Sequence, residues 1–348
     1  MLVKQLNNLF HPVVNMTGDL LGRPLRDLRI SVTDRCNFRC DYCMPVEKYG
    51  HNHKFLPKNK ILSFEEIIMI ISSMIPLGLK KVRITGGEPL LRKDISKLIS
   101  MIRKLDNNLD IALTTNGTLL SKHAIKLFDA GLNRVTISID AIEEDIFKLM
   151  SNSNVTPSMI ISGIQEAVRV GLEVKANTVI LKGSNESQII PLTELFYRLN
   201  VPLRFIEYMD VGGTNNWDIE QVITGQDIRK IITKKYGILN RVKPQYFGEV
   251  SRNWSMSNGY EIGFIESVTN PFCSSCTRAR ISANGNLYTC LFSETGNNLK
   301  SLIDLGANEH ELGEAIKLIW QSRNDKYSEE RGSIEKKLNP IEMHFIGG

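Results

Sequence analysis

The chain has 348 residues, 42% of them hydrophobic and 23% charged, with a net charge of +5. This is the balance of a globular protein large enough to bury a core, and it excludes collagen-like, low-complexity and disordered classes. The excess charge suits a phosphate-rich ligand but is too small and scattered to mark a nucleic-acid surface.

No apolar run approaches the ~18 residues of a membrane helix. Met1 to Asp19 lacks the basic, apolar and small-residue pattern of a secretory signal, so the sequence reads as cytoplasmic with no membrane partner. Residues 1–18 read as a poorly ordered extension.

Strand and helix phrases then alternate. The first β-type run is Leu28 to Val32. Ser63-Phe64-Glu65-Glu66 is a capping box, in which hydroxyl and carboxylate satisfy the free N–H groups of a helix start. Gly78 follows as a left-handed stop. Lys81–Thr85 precedes a helix near Ile95–Leu105, and Asp110–Thr115 precedes Lys122–Ala130. Arg134–Asp140 precedes Ser158–Val170, Glu173–Leu181 precedes Gln188–Leu199, and Leu203–Tyr208 is the sixth strand.

Strands alternating with helices of this length predict a parallel sheet. Six of them predict an α/β fold, an open six-stranded (β/α)6 partial TIM barrel over residues 19–210, with its chemistry at the C-terminal strand ends. Residues 211–348 read as a β-rich C-terminal extension closing the mouth. It contains a helix near Gln226–Tyr236, β-rich sequence from Ile238 to Val268, an Asn284-Gly285 hairpin turn and a helix near Glu309–Ser322.

The six cysteines fall into two groups, Cys36/Cys40/Cys43 and Cys273/Cys276/Cys290. Odd clusters in a chain of this size point to metal rather than to a disulfide framework. Three thiolates within eight residues are one short of a closed zinc site, but they leave one iron of a four-iron cluster open to a reactive ligand. On spacing alone the second group fits zinc, with a fourth ligand such as His344, as well as it fits iron–sulfur.

The first spacing, with Tyr42 before the last cysteine and Gly86-Gly87-Glu88-Pro89 after the second strand, resembles the radical S-adenosylmethionine superfamily. Longer stretches narrow the resemblance. These are Arg29 to Cys40, Arg83 to Leu90, Val174-Lys175-x-Asn177, Arg204 to Met209, Phe272 to Arg280 and the terminal Gly347-Gly348. Together, from about residue 18 to the end, they resemble the GTP 3′,8-cyclase family, molybdenum cofactor biosynthesis protein A.

The resemblance implies two 4Fe–4S clusters, S-adenosylmethionine, and conversion of GTP to (8S)-3′,8-cyclo-7,8-dihydroguanosine 5′-triphosphate, the first step of molybdenum cofactor biosynthesis. It implies that Tyr42, Gly87, Ser138 and Met209 contact S-adenosylmethionine, and that Arg29, Arg83, Thr114, Lys175, Arg278 and Arg280 hold GTP. Gly347 and Gly348 would support catalysis from the tail. It also implies a reduced electron donor and a downstream cyclic pyranopterin monophosphate synthase, and leaves a homodimer open. Thr277 stands where that family is expected to have Asn, beside a cluster ligand.

Two other classes compete. A radical enzyme modifying a peptide would usually carry more C-terminal cysteines. A non-enzymatic, metal-stapled nucleic-acid-binding protein would show basic–aromatic clusters that the sequence lacks.

Overall fold

The computed structural model of the chain describes residues 17–332 and 340–347; the expectations on residues 1–16 and on Gly348 lie outside them. The six predicted strands form in order as β1 Asp27–Ser31, β2 Lys81–Thr85, β3 Asp110–Thr115, β4 Arg134–Ser138, β5 Glu173–Ile180 and β6 Leu203–Glu207. Each pairs with the next in parallel register. Their outward residues, such as Leu28, Ile30, Val82, Ile84 and Val135, are fully covered by helices. This is the near-continuous apolar pattern of a buried parallel sheet.

The helices Phe64–Met74, Ile95–Leu105, Leu120–Asp129, Pro157–Arg169 and Ile189–Arg198 supply that cover. The first opens on the expected capping box of Ser63 and Glu66. A further helix, Glu144–Ser151, was not expected and ends on Asn152 at φ 43°.

The sheet continues beyond six strands. The extension supplies β7 Asn240–Arg241, β8 Arg252–Ser255, β9 Glu261–Ile265, β10 Arg278–Ile281, β11 Asn286–Tyr288 and β12 Asn297–Asn298. The twelve strands run in the order β12-β11-β10-β1-β2-β3-β4-β5-β6-β9-β8-β7, in one open sheet. β10 lies parallel to β1 and β9 parallel to β6, giving eight adjacent parallel strands with antiparallel edges. The extension therefore widens the barrel at both flanks, besides sending residues 340–347 across its open end. Among the described residues no helix is long and apolar enough to cross a membrane.

This topology separates the cysteine groups. Cys36, Cys40 and Cys43 follow the C-terminal end of β1. Cys273 and Cys276 precede β10, parallel to β1, and Cys290 follows the antiparallel β11, so the second group lies at the N-terminal strand ends. A five-residue strand spans roughly 16 Å. That is the scale of the gap between the two ends.

Candidate active site

One cavity of about 360 Å³ joins the two ends, with all six cysteines on its wall. At the upper end, Arg39 fixes the first cysteine loop. Its Nη1 donates to the carbonyls of Cys36 at 2.8 Å and Phe38 at 2.7 Å, and its Nε donates to Tyr49 at 2.6 Å. The Phe38 N–H at 3.4 Å and Asn116 Nδ2 at 3.9 Å both point at Cys36 Sγ. Burial and the Glu88 carboxylate push the Cys36 thiol up to about 11, and burial raises Cys40 and Cys43 as well.

Tyr42 donates its hydroxyl proton to Asp140 at 2.7 Å. Burial pushes the Asp140 carboxyl up to about 6 although that bond pulls it down. Gly87 has no room for a side chain, since a Cβ there would stand 2.3 Å from the Arg35 carbonyl oxygen. Glu88 accepts from Leu90 N–H at 3.0 Å, Thr115 Oγ1 at 2.7 Å and Asn116 N–H at 2.8 Å, tying the glycine loop to β3. Burial still pushes Glu88 up to about 7. Ser138 and Met209 line the same end, and Ser138 is in register with Asn177.

A cationic wall occupies the middle of the cavity. Arg29, Arg83, Thr114, Lys175, Arg278 and Arg280, all singled out from the sequence, reach it. Arg83 Nη1 donates to Thr114 at 2.9 Å and to Thr136 at 3.0 Å, so Thr114 also serves to aim that guanidinium. Lys175 pairs with Glu173 at 2.6 Å. Burial lowers Arg83 and Arg280 to about 10, helped by neighbouring arginines.

Sequence reasoning missed Lys81, Arg134 and Arg204, which share this wall. The signal was there: a strand alternates its faces, so Lys81, two residues before Arg83, must face the same way.

At the lower end, Arg278 Nη2 lies 3.2 Å from Cys276 Sγ, and the Phe292 N–H lies 3.5 Å from Cys290 Sγ. Burial would raise Cys276, but the Arg278 and Arg323 charges outweigh it and bring the thiol down to about 7. Burial and Asp325 drive Cys290 up to about 12. Thr277 is buried, with its hydroxyl on the Asp27 carboxylate.

His344 is not at this end. Its imidazole lies beside Cys43, with a buried Nδ1 that has no partner among the described residues, and its ring packs edge-on against Tyr49 at 4.7 Å. It therefore cannot complete a zinc site on the second cysteines. Gly347 accepts a hydrogen bond from Arg280 through its carbonyl, so the tail touches the cationic wall.

Zinc would draw four donors to about 2.3 Å for sulfur. Among the described residues no three His, Cys, Asp or Glu side chains close on a single metal position. Each group offers donors of the kind an iron–sulfur cluster uses: three half-buried thiols on the cavity wall, with an N–H group aimed at a sulfur.

Two family models match the chain, the Radical SAM superfamily over residues 30–196 and Molybdenum Cofactor Synthesis C over residues 201–329. GTP 3′,8-cyclase of Staphylococcus aureus strain bovine RF122 / ET3-1 is 48% identical over 341 residues, covering 97% of this chain and 100% of that protein. The protein of the same name from strain JH9 is 47% identical with the same coverage.

The chain belongs to the GTP 3′,8-cyclase family.

Membership of the radical S-adenosylmethionine superfamily implies one 4Fe–4S cluster and S-adenosylmethionine. Solved structures share the fold. Streptococcus suis SuiB bound to S-adenosylmethionine superposes with a TM-score of 0.60 at 17% identity, covering 84% of this chain and 68% of that one. SuiB bound to its precursor peptide SuiA gives 0.58 at 17% identity, covering 96% and 70%. At such identities the likeness concerns the fold alone.

Proposed function

We propose that the enzyme binds S-adenosylmethionine at the Cys36–Cys43 end and GTP along the cationic wall, and converts GTP to (8S)-3′,8-cyclo-7,8-dihydroguanosine 5′-triphosphate. This is the first step of molybdenum cofactor biosynthesis. The observation that carries the reading is the cavity that joins two three-cysteine sets through a wall of cations. Residues 19–210 form the radical-generating part and 211–348 the part that presents the substrate. The Radical SAM and Molybdenum Cofactor Synthesis C matches support that division.

Cys36, Cys40 and Cys43 would hold the first cluster, which when bound supplies the electron that cleaves S-adenosylmethionine for hydrogen abstraction. The backbone at Gly87, with Ser138, Met209 and the Tyr42 segment, fixes that cosubstrate, and the absence of a side chain at Gly87 lets the chain approach it closely. Arg29, Arg83, Lys175, Arg278 and Arg280, with Thr114 aiming Arg83, hold the triphosphate. Guanidinium forks match phosphate oxygens in pairs. Cys273, Cys276 and Cys290 would hold a second 4Fe–4S cluster, which would help to bind the guanine. A reduced donor supplies electrons, and the product passes to a cyclic pyranopterin monophosphate synthase.

Anaerobic reconstitution tests this. The expected result is ~8 irons per chain, for two 4Fe–4S clusters, with 5′-deoxyadenosine formed only when GTP is present. Zinc at Cys273, Cys276 and Cys290 would remove the guanine-binding role. Formation of 5′-deoxyadenosine with a cysteine-containing peptide instead of GTP would replace the substrate.

A further inference from the structure

Four charged side chains lie beneath the second cysteine group, three of them buried and Asp325 half-buried, and belong to no substrate contact described above. They come from opposite ends of the chain: Asp19 (8% exposed) and Arg23 (1%) from the start of the described chain, Arg323 (4%) and Asp325 from the segment after the helix Glu309–Gln321. Buried ions without a task are costly, and a buried ion pair is poor evidence for stability in its own right. Their hydrogen bonds show a task.

Arg23 donates through Nε to Asp19 at 2.5 Å. Through Nη1 it donates to the Cys273 carbonyl at 3.0 Å and the Asp325 carbonyl at 2.8 Å. Arg323 donates through Nη1 to the Cys276 carbonyl at 2.8 Å, lies 3.6 Å from Asp19 and donates through Nε to Asp325 at 3.1 Å. The other Asp325 oxygen accepts from Thr289 Oγ1 at 2.8 Å, next to Cys290. Every cysteine of the second group is thus tied to one quartet: Cys273 by Arg23, Cys276 by Arg323, and Cys290 through Thr289 and Asp325. Trp320 closes the quartet from behind, donating through Nε1 to the Arg23 carbonyl at 3.0 Å while Arg323 stacks on its ring at 4.6 Å.

We propose that Asp19, Arg23, Arg323 and Asp325 form the frame that positions Cys273, Cys276 and Cys290 for the second cluster, making the segment around residues 19–23 part of the substrate end of the active site. This rests on the two-cluster reading above. The arginines are positioning residues acting through the cysteine loop. Their role requires the planar fork, because one group must reach a cysteine carbonyl and two carboxylates at once. A lysine keeps the charge but offers no such fork.

The test uses the full chain, reconstituted anaerobically as parent, Arg323→Lys, Arg323→Met and Thr289→Val. Iron content, the paramagnetic resonance spectrum of the reduced protein with and without GTP, and the thermal midpoint are measured. The frame predicts that Arg323→Lys and Arg323→Met behave alike, falling from ~8 to ~4 irons per chain. Both should lose the GTP-dependent part of the spectrum while the first cluster's signal stays. Thr289→Val, which cuts only the Cys290 link and leaves the charges in place, should keep its iron but shift the second cluster's signal. If Arg323→Lys loads and responds to GTP as the parent does, the frame is wrong. If the arginine variants fail to fold, an unshifted signal in Thr289→Val overturns it equally. A parent holding zinc, or only four irons, would instead overturn the two-cluster reading.

Discussion

Arg29 and Arg280 stand directly opposite each other on the neighbouring parallel strands β1 and β10, both on the wall of the cavity. Like charges across a strand pair destabilise it. Here burial, with Arg280, Arg83 and Arg278 close by, holds the Arg29 guanidinium well below its ordinary range. On the function proposed above, the strands tolerate this arrangement because the fold presents it to an anion. A polyphosphate placed between the two strands converts the repulsion into attraction on both sides.

The first prediction follows from that repulsion. GTP at a hundredfold excess over its Kd should stabilise the parent by about 2.7 kcal/mol through mass action. Arg29→Met should leave the GTP-free thermal midpoint unchanged or raised, because a buried repulsion is gone. It should also weaken GTP by about tenfold or more, the worth of one charge-assisted hydrogen bond. Anaerobic thermal denaturation with and without GTP measures both. A full GTP-dependent shift in Arg29→Met would take Arg29 out of the phosphate site.

Lys81 gives the pH dependence. Burial and the Arg83 charge lower its ammonium to about 8, against the partial support of Asp110 at 3.2 Å. Its folded-state pKa is below its unfolded value, so it costs stability below pH 8. The cost is relieved as pH rises from about 8 towards the unfolded value near 10.4, where the unfolded chain binds more protons. GTP affinity should move the other way, falling above pH 8 as the neutral amine ceases to attract phosphate. Opposite slopes of stability and affinity between pH 7.5 and 9.5 are the expected signature. Lys81→Met should flatten both, and a Lys81→Met profile as steep as the parent's would assign the titration elsewhere.

Much of this site could be read in the sequence because its anchors are local. The β1 loop carries Cys36, Cys40 and Cys43 within one turn of chain, and buried strands between capped helices announce a parallel sheet. The sequence does not announce long-range pairing. β10 lies next to β1 only because residues some 250 positions apart meet, as Thr277 meets Asp27. Local periodicity cannot encode that contact, so the eight-strand width and the second cysteine group's place at the opposite strand ends stayed hidden. Arg23 and Arg323 were unreadable for the same reason. Their partners are backbone carbonyls of distant cysteines, and a carbonyl leaves no trace in residue identity.

A third prediction concerns the loop after β2. Glu88 accepts three hydrogen bonds, two from backbone N–H groups. Glu88→Gln replaces one acceptor oxygen with an NH2 group facing a donor, leaving a buried mismatch that costs about 1–3 kcal/mol. The loop carries Gly87, so the damage should reach S-adenosylmethionine more than GTP. Its Kd should rise at least fivefold while the GTP-dependent thermal shift is retained. Equal losses for both ligands would mean that the barrel, rather than this loop, had been disturbed.

The last prediction addresses the tail. Gly347 adopts φ 73°, and a Cβ there would stand 2.2 Å from Thr85 Cγ2 at the end of β2. Strand β2 is held on both sides by β1 and β3 and cannot retreat. Gly347→Ala should therefore lift the tail, breaking the contact between its carbonyl and Arg280. Iron content should stay at ~8 per chain, since the cysteines keep their own supports, while GTP-dependent 5′-deoxyadenosine formation falls tenfold or more. Thr85→Ser removes the methyl that collides and keeps the hydroxyl. The double variant should recover part of the lost turnover, limited by the ~1–2 kcal/mol that a left-handed alanine costs. Full turnover in Gly347→Ala alone would show that the tail works without its packed position. No recovery in the double variant would mean that backbone strain at Gly347, rather than the contact with Thr85, dislodges the tail.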